Sequence, residues 1–374
     1  MTLTQQKDRV RAFIKTALNR WATSGFDDGR GTFVETLDFE TIPNLDINRR
    51  GRVQARQIYV CTLANLWGFD PDGIYLEIAK RAWERAAKIY LTEEGGWVFS
   101  ASPSGIVVDN TCYVYERAFT IMALTALYQA TGDSEYSAGL DIAWNWLTSK
   151  CAAQHGGFNL SVPFDPTAPR EQNPHMHLFE ACMDARDLSG GVWSKQADEL
   201  FQLAVDHFIT PSGVLLEFFT QDWQPDPKTG ANIQPGHLME WTWLLTQYAK
   251  RSGKVIPQIE HLYNSACAWG LDSKGLGYDE MREGGQILRD TKRLWVQCEV
   301  IKAHCARYET SRNPTYLARA QEALDTTFEL YFLEDTGSWY DQLDSSEKNI
   351  SQSAPASSLY HVFIALHEFL EIPE

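Results

Sequence analysis

Residues 117–128 read RAFTIMALTALY, a stretch that is apolar on nearly every side of a helix once its first arginine is passed. A helix without a polar face is one that is buried all round. Stretches of similar character begin at five further ionisable residues, which are Arg56, Glu180, Glu240, Glu299 and His361. Neighbouring members of this series are about 59 to 63 residues apart, which indicates one supersecondary unit repeated six times.

Amphipathic helices alternate with these apolar stretches. Residues 74–91 place apolar side chains at helical spacing on one face and charged side chains on the other. Similar segments begin near Val10, Ser134, Asp198, Pro257 and Pro314. Each repeat therefore predicts a half-exposed outer helix and a buried inner helix. The predicted fold class is all-α, an (α/α)6 barrel of six helix pairs, with an open helical solenoid as the alternative.

Glycine-aromatic segments such as 95–97 (GGW), 156–158 (GGF) and 337–339 (GSW) stand between the outer and the inner helices. Short strand-like runs follow them, for example 214–219 (VLLEFF), and predict small β-hairpins. The returns from inner to outer helices are short. The long connections all lie on one face, so we expect the functional site on that face.

The composition indicates one domain over residues 1–374, because no Pro/Gly/Ser-rich linker divides the chain. A formal charge of −16 argues against nucleic acid or an anionic membrane as a partner. The seven scattered cysteines are typical of reduced core residues. The start of the chain has no apolar run typical of a signal peptide, and no segment is apolar over the length of a membrane span, so we expect a cytoplasmic protein. We expect it to be a monomer or a homodimer.

Three helix starts contain the residues best suited to chemistry. His177 with Glu180 and His237 with Glu240 form His-x-x-Glu pairs one helical turn apart. His361 has the same phase in the repeat, so three imidazoles should face one cavity and can remove and return protons near neutral pH. The sequence does not decide the role of His175. The other histidines are interpreted as core or surface residues: His155, His207, His261, His304 and His367.

Arg56 has two interpretations from the sequence. It could hold its charge against a carbonyl or enediolate oxygen, or form a buried salt bridge with Glu240 or Glu299. Trp295 and Glu299 share one helix face, which suits an aromatic wall and a hydroxyl acceptor for a sugar. Simple core packing is the alternative for Trp295.

Two other chemistries fit parts of this set. The His-x-x-Glu pairs could bind a divalent metal, and paired carboxylates could hydrolyse a glycosidic bond. A glycoside hydrolase mechanism would give the histidines no role, and a metal site would give His361 and Arg56 little role. We therefore favour a proton shuttle with neither metal nor cofactor.

Five motifs together resemble the N-acylglucosamine 2-epimerase family, in particular its branch of D-mannose isomerases. They are 53–56 (VQAR), 173–177 (NPHMH), 235–241 (PGHLMEW), 295–299 (WVQCE) and 359–361 (LYH). The resemblance implies a metal-free (α/α)6 barrel in which His237 and His361 are the acid/base pair. It also implies a pocket that binds a monosaccharide through Arg56, Tyr113, Asn173, His177, Glu240, Trp295 and Glu299.

The implied reaction interconverts D-mannose and D-fructose, with D-lyxose and D-xylulose as a further substrate pair. The sugar ring opens, and a proton moves from C2 to C1 through a cis-enediolate. A 2-epimerase of N-acylglucosamine or of an unmodified aldose needs almost the same residues and is the alternative. The run YHVF at 360–363 resembles the isomerases more than the epimerases. A non-catalytic helical scaffold is a third interpretation.

Overall fold

A computed structural model describes residues 1–186, 188 and 191–373. Within these residues, twelve α-helices alternate between an outer and an inner layer. The outer helices are α1 (Leu3–Thr23), α3 (Ile74–Tyr90), α5 (Ser134–Trp146), α7 (Val192–Leu203), α9 (Gln258–Ser265) and α11 (Pro314–Leu330). The inner helices are α2 (Gly51–Leu66), α4 (Val114–Thr131), α6 (Gln172–Asp184), α8 (Pro235–Ser252), α10 (Leu294–Ser311) and α12 (Leu359–Leu370).

The inner helices form a closed ring. Each one packs against the next, from α2 through α4, α6, α8 and α10 to α12, and α12 returns to α2. Every inner helix also packs against one outer helix, and α12 takes α1 from the other end of the chain as its partner. The predicted (α/α)6 barrel is therefore confirmed, and closure of the ring excludes the alternative fold, an open helical solenoid.

Local sequence signals set the helix boundaries. Thr2 forms a capping box with Gln5 at the start of α1, and Asn313 caps α11, whose first residue is Pro314. Gly132 and Gly253 end α4 and α8 in the left-handed conformation, with φ of 71° and 70°. These signals separate helices that the apolar pattern alone would leave without clear ends.

In the part of the chain that the structure describes, all the strands lie in the connections that lead from an outer to an inner helix, as the hairpin prediction required. The largest sheet has the order β4-β5-β6-β7, and the others have two or three strands. The bounds are β1 (Phe26–Asp27), β2 (Thr32–Phe33), β3 (Thr36–Leu37), β4 (Arg49–Arg50), β5 (Val98–Ala101), β6 (Val107–Tyr113), β7 (Ser161–Val162), β8 (Arg170–Glu171), β9 (Phe218–Phe219), β10 (Asn232–Ile233), β11 (Glu280–Arg282), β12 (Gln286–Arg289), β13 (Lys292–Arg293), β14 (Phe332–Leu333), β15 (Ser338–Trp339), β16 (Gln342–Leu343) and β17 (Ala354–Pro355).

A polar side chain at the fourth position of several inner helices joins the helix to the hairpin before it. Gln54 bonds both backbone groups of Phe33, and Gln297 bonds both backbone groups of Gly277. His175 does the same work in α6, since its Nε2 accepts from the backbone N–H of Phe158. These contacts fix the hairpins over the start of the inner ring.

All seven cysteines are free, and all except the half-buried Cys267 are buried, which confirms their prediction as reduced core residues. Among the described residues, no helix combines the length and the apolarity that crossing a bilayer requires.

Candidate active site

A cavity of about 190 Å³ opens where the inner helices begin. It is smaller than the usual site for a drug-sized ligand, which suits a compact polar substrate. All six inner helices, the strand β13 and Gln234, which directly precedes α8, contribute its walls. The lining residues are Arg56, Tyr115, Asn173, His177, Gln234, His237, Glu240, Arg293, Trp295 and His361.

The position that faces the centre of the ring is the sixth residue of each inner helix. Arg56, Glu240 and Glu299 occupy it in α2, α8 and α10. His361 occupies it in α12 when the short 3₁₀ turn Ala356–Ser358 is counted as the start of the helix. In α6 the sixth residue is His177, and Glu180 lies one turn deeper.

The repeat series in the sequence aligns Arg117 with Arg56 and Glu240, and the structure contradicts this alignment. The sixth residue of α4 is Phe119, whereas Arg117 is the fourth and lies at the position that faces the hairpin in other repeats. Its guanidinium bonds Thr120 and carries no carboxylate contact among the described residues. Burial lowers the pKa of Arg117 to about 10.

His237 is held by a carboxylate from the preceding connection. Its Nδ1 lies 2.9 Å from Oε2 of Glu217, and the side-chain amide of Gln172 donates to the same oxygen over 2.9 Å. The indole N–H of Trp241 donates in turn to Gln172. Because a carboxylate accepts from Nδ1, the edge of the imidazole with Nε2 remains for the cavity.

His361 has a corresponding partner in α10. Its Nδ1 lies 2.8 Å from Oε1 of Glu299, and the other oxygen of Glu299 is 2.8 Å from Nζ of Lys302. Burial lowers the pKa of His361 to about 4, although the bond to Glu299 works in the opposite direction. The imidazole is therefore neutral at pH 7 and has a lone pair on Nε2.

Trp295 lies between the two imidazoles. Its ring centroid is 5.1 Å from that of His237 and 5.6 Å from that of His361. The predicted aromatic wall is present, and it separates two nitrogen bases that face one cavity.

Arg56 is not part of a buried salt bridge, since it has no ion pair among the described residues. One guanidinium nitrogen donates to the Tyr115 hydroxyl over 2.8 Å, and another donates to the Ser357 carbonyl over 3.1 Å. The guanidinium lies over the Phe119 ring at 4.1 Å. An arginine held by neutral groups keeps its full charge for a negative oxygen on a ligand.

Glu240 is buried, and neither of its carboxyl oxygens has a hydrogen-bond partner within the described protein. Burial, reinforced by the charge of Glu299, raises the pKa of Glu240 well above its usual value. Burial also raises the pKa of Glu180 and lowers that of His177 well below its usual range. The raised pKa favours the protonated form of Glu240, and its unpaired polar atoms are available to sugar hydroxyls.

The predicted site residues meet at this cavity with two exceptions. Tyr113 ends strand β6 and packs against Phe99, and it is Tyr115, two residues later, that lines the cavity. Glu299 lies behind His361 rather than on the cavity wall. Asn173 lines the cavity with its side-chain oxygen buried and unpaired.

Sequence reasoning missed Glu217, Gln172, Lys302 and the pocket role of Tyr115. Glu217 had a visible signal, because it is the single charged residue in the apolar run at 214–219. Lys302 had one as well, since it interrupts the buried face of α10. His175 and His304 are structural, with neutral imidazoles bonded to Phe158 and Tyr263 respectively.

The donor atoms of His177, Glu180 and Glu240 lie within 4.8 Å of one another, as do those of Glu240, Glu299 and His361. Several of these groups already bond each other, including His177 Nδ1 with Glu180 over 3.2 Å. The ammonium of Lys302 contacts Glu299, so this cluster already contains its own compensating cation. The arrangement fits a hydrogen-bonded acid/base site better than a metal centre.

Comparison with known proteins finds relatives that match most of the chain. Over 94% of its length the chain is 32% identical to a protein of Rhizobium meliloti (strain 1021) named mannose-6-phosphate isomerase, covering 93% of that protein. It is 27% identical to a D-mannose isomerase of Marinomonas mediterranea, covering 75% of this chain and 76% of the relative. The structure of cellobiose 2-epimerase from Spirochaeta thermophila superposes with a TM-score of 0.87 at 23% identity, over 99% of this chain and 96% of the other, and shows the shared fold.

The model of the N-acylglucosamine 2-epimerase family matches residues 31–365. This stretch contains five inner helices in full, the first part of α12 and every residue that lines the cavity. The relatives named above are isomerases and a 2-epimerase. The protein is thus an enzyme of the isomerase class, and it belongs to the N-acylglucosamine 2-epimerase family.

Proposed function

We propose that the protein interconverts D-mannose and D-fructose as a metal-free aldose-ketose isomerase. The observation that most supports this is the pair His237 and His361, two imidazoles on either side of Trp295 whose Nδ1 atoms are both bonded to carboxylates. Both histidines therefore direct Nε2 toward one small polar cavity. The Marinomonas relative is also named for D-mannose.

The reaction starts with opening of the sugar ring, which needs a proton added to the ring oxygen and one removed from the hydroxyl at C1. Two imidazoles on opposite sides of a substrate can supply these two transfers. The indole of Trp295 offers an apolar surface for the C–H groups of the sugar.

The neutral imidazole then takes the proton from C2, and the electron pair of the broken bond forms the cis-enediolate with negative charge on the former carbonyl oxygen. Arg56 stabilises that oxygen, because its guanidinium is fixed by Tyr115 and Ser357 and is not neutralised by a carboxylate. Return of the same proton to C1, with a proton moved from O2 to O1, completes the ketose.

An unphosphorylated sugar is the better substrate for this cavity, although one relative is named for a phosphorylated one. The other arginines near the mouth already have carboxylate partners. Arg52 lies 2.5 Å from Glu116, and Arg293 lies 3.3 Å from Asp279. A phosphate would have to displace these partners to gain a cation other than Arg56, which the proposed mechanism uses for the sugar oxygen.

The test is NMR of D-mannose incubated in D2O with the protein and EDTA. D-Fructose should appear, and the proportion of deuterium at C1 measures how far the transferred proton exchanges with solvent. D-Mannose 6-phosphate, run in parallel, should react more slowly. An unchanged spectrum for every aldose supplied would contradict the proposal.

A 2-epimerase is the second candidate, and the presence of two imidazoles, His237 and His361, at one cavity favours it specifically. Removal of the C2 proton by one imidazole, and donation of a different proton to the other face of C2 by the second imidazole in its protonated form, would give D-glucose from D-mannose. The same spectra distinguish the two functions, because an epimerase produces D-glucose without D-fructose.

A further inference from the structure

The two histidine-carboxylate pairs differ in what lies behind the carboxylate. Glu217, behind His237, receives bonds from neutral amide groups of Gln172 and Gln234. Glu299, behind His361, is in contact with the ammonium of Lys302. No cation takes the corresponding place behind Glu217 among the described residues. The two imidazoles therefore face different charge environments in an otherwise similar arrangement.

Lys302 is unusual for a lysine in a helix. Its side chain is 0% exposed, whereas lysines ordinarily extend their ammonium groups to water. Nζ lies 2.8 Å from Oε2 of Glu299 and 3.7 Å from the ring centroid of Trp243. Burying such a charge costs several kcal/mol unless close partners compensate, so a buried lysine needs a reason.

We propose that Lys302 is a positioning residue for His361. Its ammonium holds Glu299 as a carboxylate with one oxygen on Nδ1 of His361, so that Nε2 keeps its lone pair toward the substrate. Glu299 uses one oxygen for each partner, Oε1 for His361 and Oε2 for Lys302. The inference rests on the proposed function, in which His361 transfers a proton.

Without Lys302, no ammonium group would lie next to the buried Glu299 carboxylate to stabilise its charge. Burial works to raise the pKa of Glu299, but the Lys302 ammonium and the bond to His361 outweigh it and keep the pKa below its usual value. Glu240 and Glu180 act on the same lysine from α8 and α6. An ionised Glu299 then accepts from Nδ1 of His361 and excludes the opposite tautomer.

Other charged groups also face His361. Arg56 from α2 and Lys302 from α10 oppose its protonation, while Glu299 favours it. Glu240 from α8 places a carboxyl oxygen within 4.8 Å of the His361 donor atom. The charge environment of His361 is therefore set by two cations, the Glu299 carboxylate and the carboxyl group of Glu240, whose protonated form is favoured by burial.

The test is Lys302→Met, which keeps the length of the side chain and removes its charge. We expect kcat on the aldose to fall about 10- to 100-fold, the effect typical of losing a group that orients a functional histidine, with little change in KM. The acidic limb of the kcat/KM profile should move to higher pH. Either Glu299 needs a higher pH to ionise, or His361 becomes easier to protonate, and both shift the limb in the same direction.

Lys292→Met is the matched control. Its ammonium is also buried and lies 2.5 Å from a carboxylate, that of Asp272, but this carboxylate has no histidine partner. We expect this variant to lose stability and keep the pH profile of the wild type. A shift of the acidic limb in both variants, or in neither, would overturn the proposal.

A readout without substrate separates this inference from the proposed function. In protein labelled at histidine, NMR assigns His361 by comparison with His361→Asn and reports its tautomer. Wild type should show the proton on Nδ1, and Lys302→Met should lose that preference. A changed tautomer in a protein that converts no aldose would contradict the proposed function alone, while an unchanged tautomer would overturn the role of Lys302.

If Lys302→Met does not fold, the double variant Glu299→Gln/Lys302→Met replaces it, because it leaves no unpaired buried charge. We expect it to fold and to remain slow, since a glutamine does not hold the tautomer as a carboxylate does. Recovery of wild-type kcat by the double variant would show a merely structural role and refute the proposal.

Discussion

Glu217 accepts a hydrogen bond from Nδ1 of His237 over 2.9 Å, although the two residues belong to different parts of the repeat. Glu217 precedes strand β9 in the connection, and His237 lies in the first turn of α8. The connection thus supplies the residue that orients the imidazole, while the barrel supplies the imidazole itself. Because the site needs residues from both the connections and the barrel, it lies on the face of the barrel that has the long connections.

Glu217→Gln should therefore reduce kcat about 100-fold or more with KM little changed, because an amide no longer fixes the tautomer of His237. Steady-state kinetics on the reacting aldose measures this. Glu280→Gln is the control, since Glu280 contacts Asn232 and Arg289 on the same face but no histidine. Full activity in Glu217→Gln would show that the contact does not matter for turnover.

His237→Ala and His361→Ala should each abolish measurable turnover while the fold is kept, because each removes one of the two proton-transfer groups. Activity assays together with circular dichroism test this.

His304→Ala provides the comparison. His304 is equally buried, but it bonds Tyr263 and does not line the cavity. This variant should lose about 1–3 kcal/mol of unfolding free energy and keep its activity. Near-normal turnover in either of the first two variants would refute the paired-histidine mechanism.

Arg56→Met should lower kcat about 10²- to 10³-fold, the usual effect of removing a group that stabilises a negative oxygen in the transition state. Arg56→Lys should recover only part of this loss, because an ammonium cannot reach Tyr115 and Ser357 together. Arg81→Met, at an exposed ion pair with Asp28, is the control and should be silent. Equal rates for Arg56→Met and wild type would remove Arg56 from the mechanism.

The fold was predictable because its signal is local and repeated. Each helix pair shows its own apolar period, and the interval near 60 residues recurs from Arg56 to His361. Which side chain of each inner helix faces the cavity was harder to predict, since this depends on the residue at which the helix begins. Arg117 and Phe119 differ by two residues and point to opposite sides of α4. A helix start misjudged by two residues moves the wrong side chain into the cavity.

The same uncertainty explains Tyr113. Strand β6 ends at Tyr113 and α4 begins at the next residue, so the direction of the chain changes between Tyr113 and Tyr115. Glu217 and Lys302 were missed for another reason. Their partners lie 20 and 3 residues away but meet through side-chain geometry that only the folded ring defines. Polar residues inside apolar runs were the available signal.

His175→Gln tests the joint between α6 and its hairpin. Glutamine occupies the equivalent fourth position in α2 and α10, where Gln54 and Gln297 bond the hairpin backbone. A glutamine oxygen can likewise accept from the N–H of Phe158, so we expect the variant to fold and to remain active.

The variant and the wild type should differ in their stability at acidic pH. Burial lowers the pKa of His175 to about 3, so the folded protein keeps this imidazole neutral, whereas the unfolded chain binds a proton below about pH 6.5. Stability from this group is complete above pH 6.5 and is lost as the pH falls toward 3, by at most about 1.4 kcal/mol per pH unit. Urea denaturation from pH 7 to pH 4 should show a shallower loss for His175→Gln, while His304 and His361 maintain the rest of the slope. Identical slopes for the two proteins would mean that His175 is protonated in the folded state.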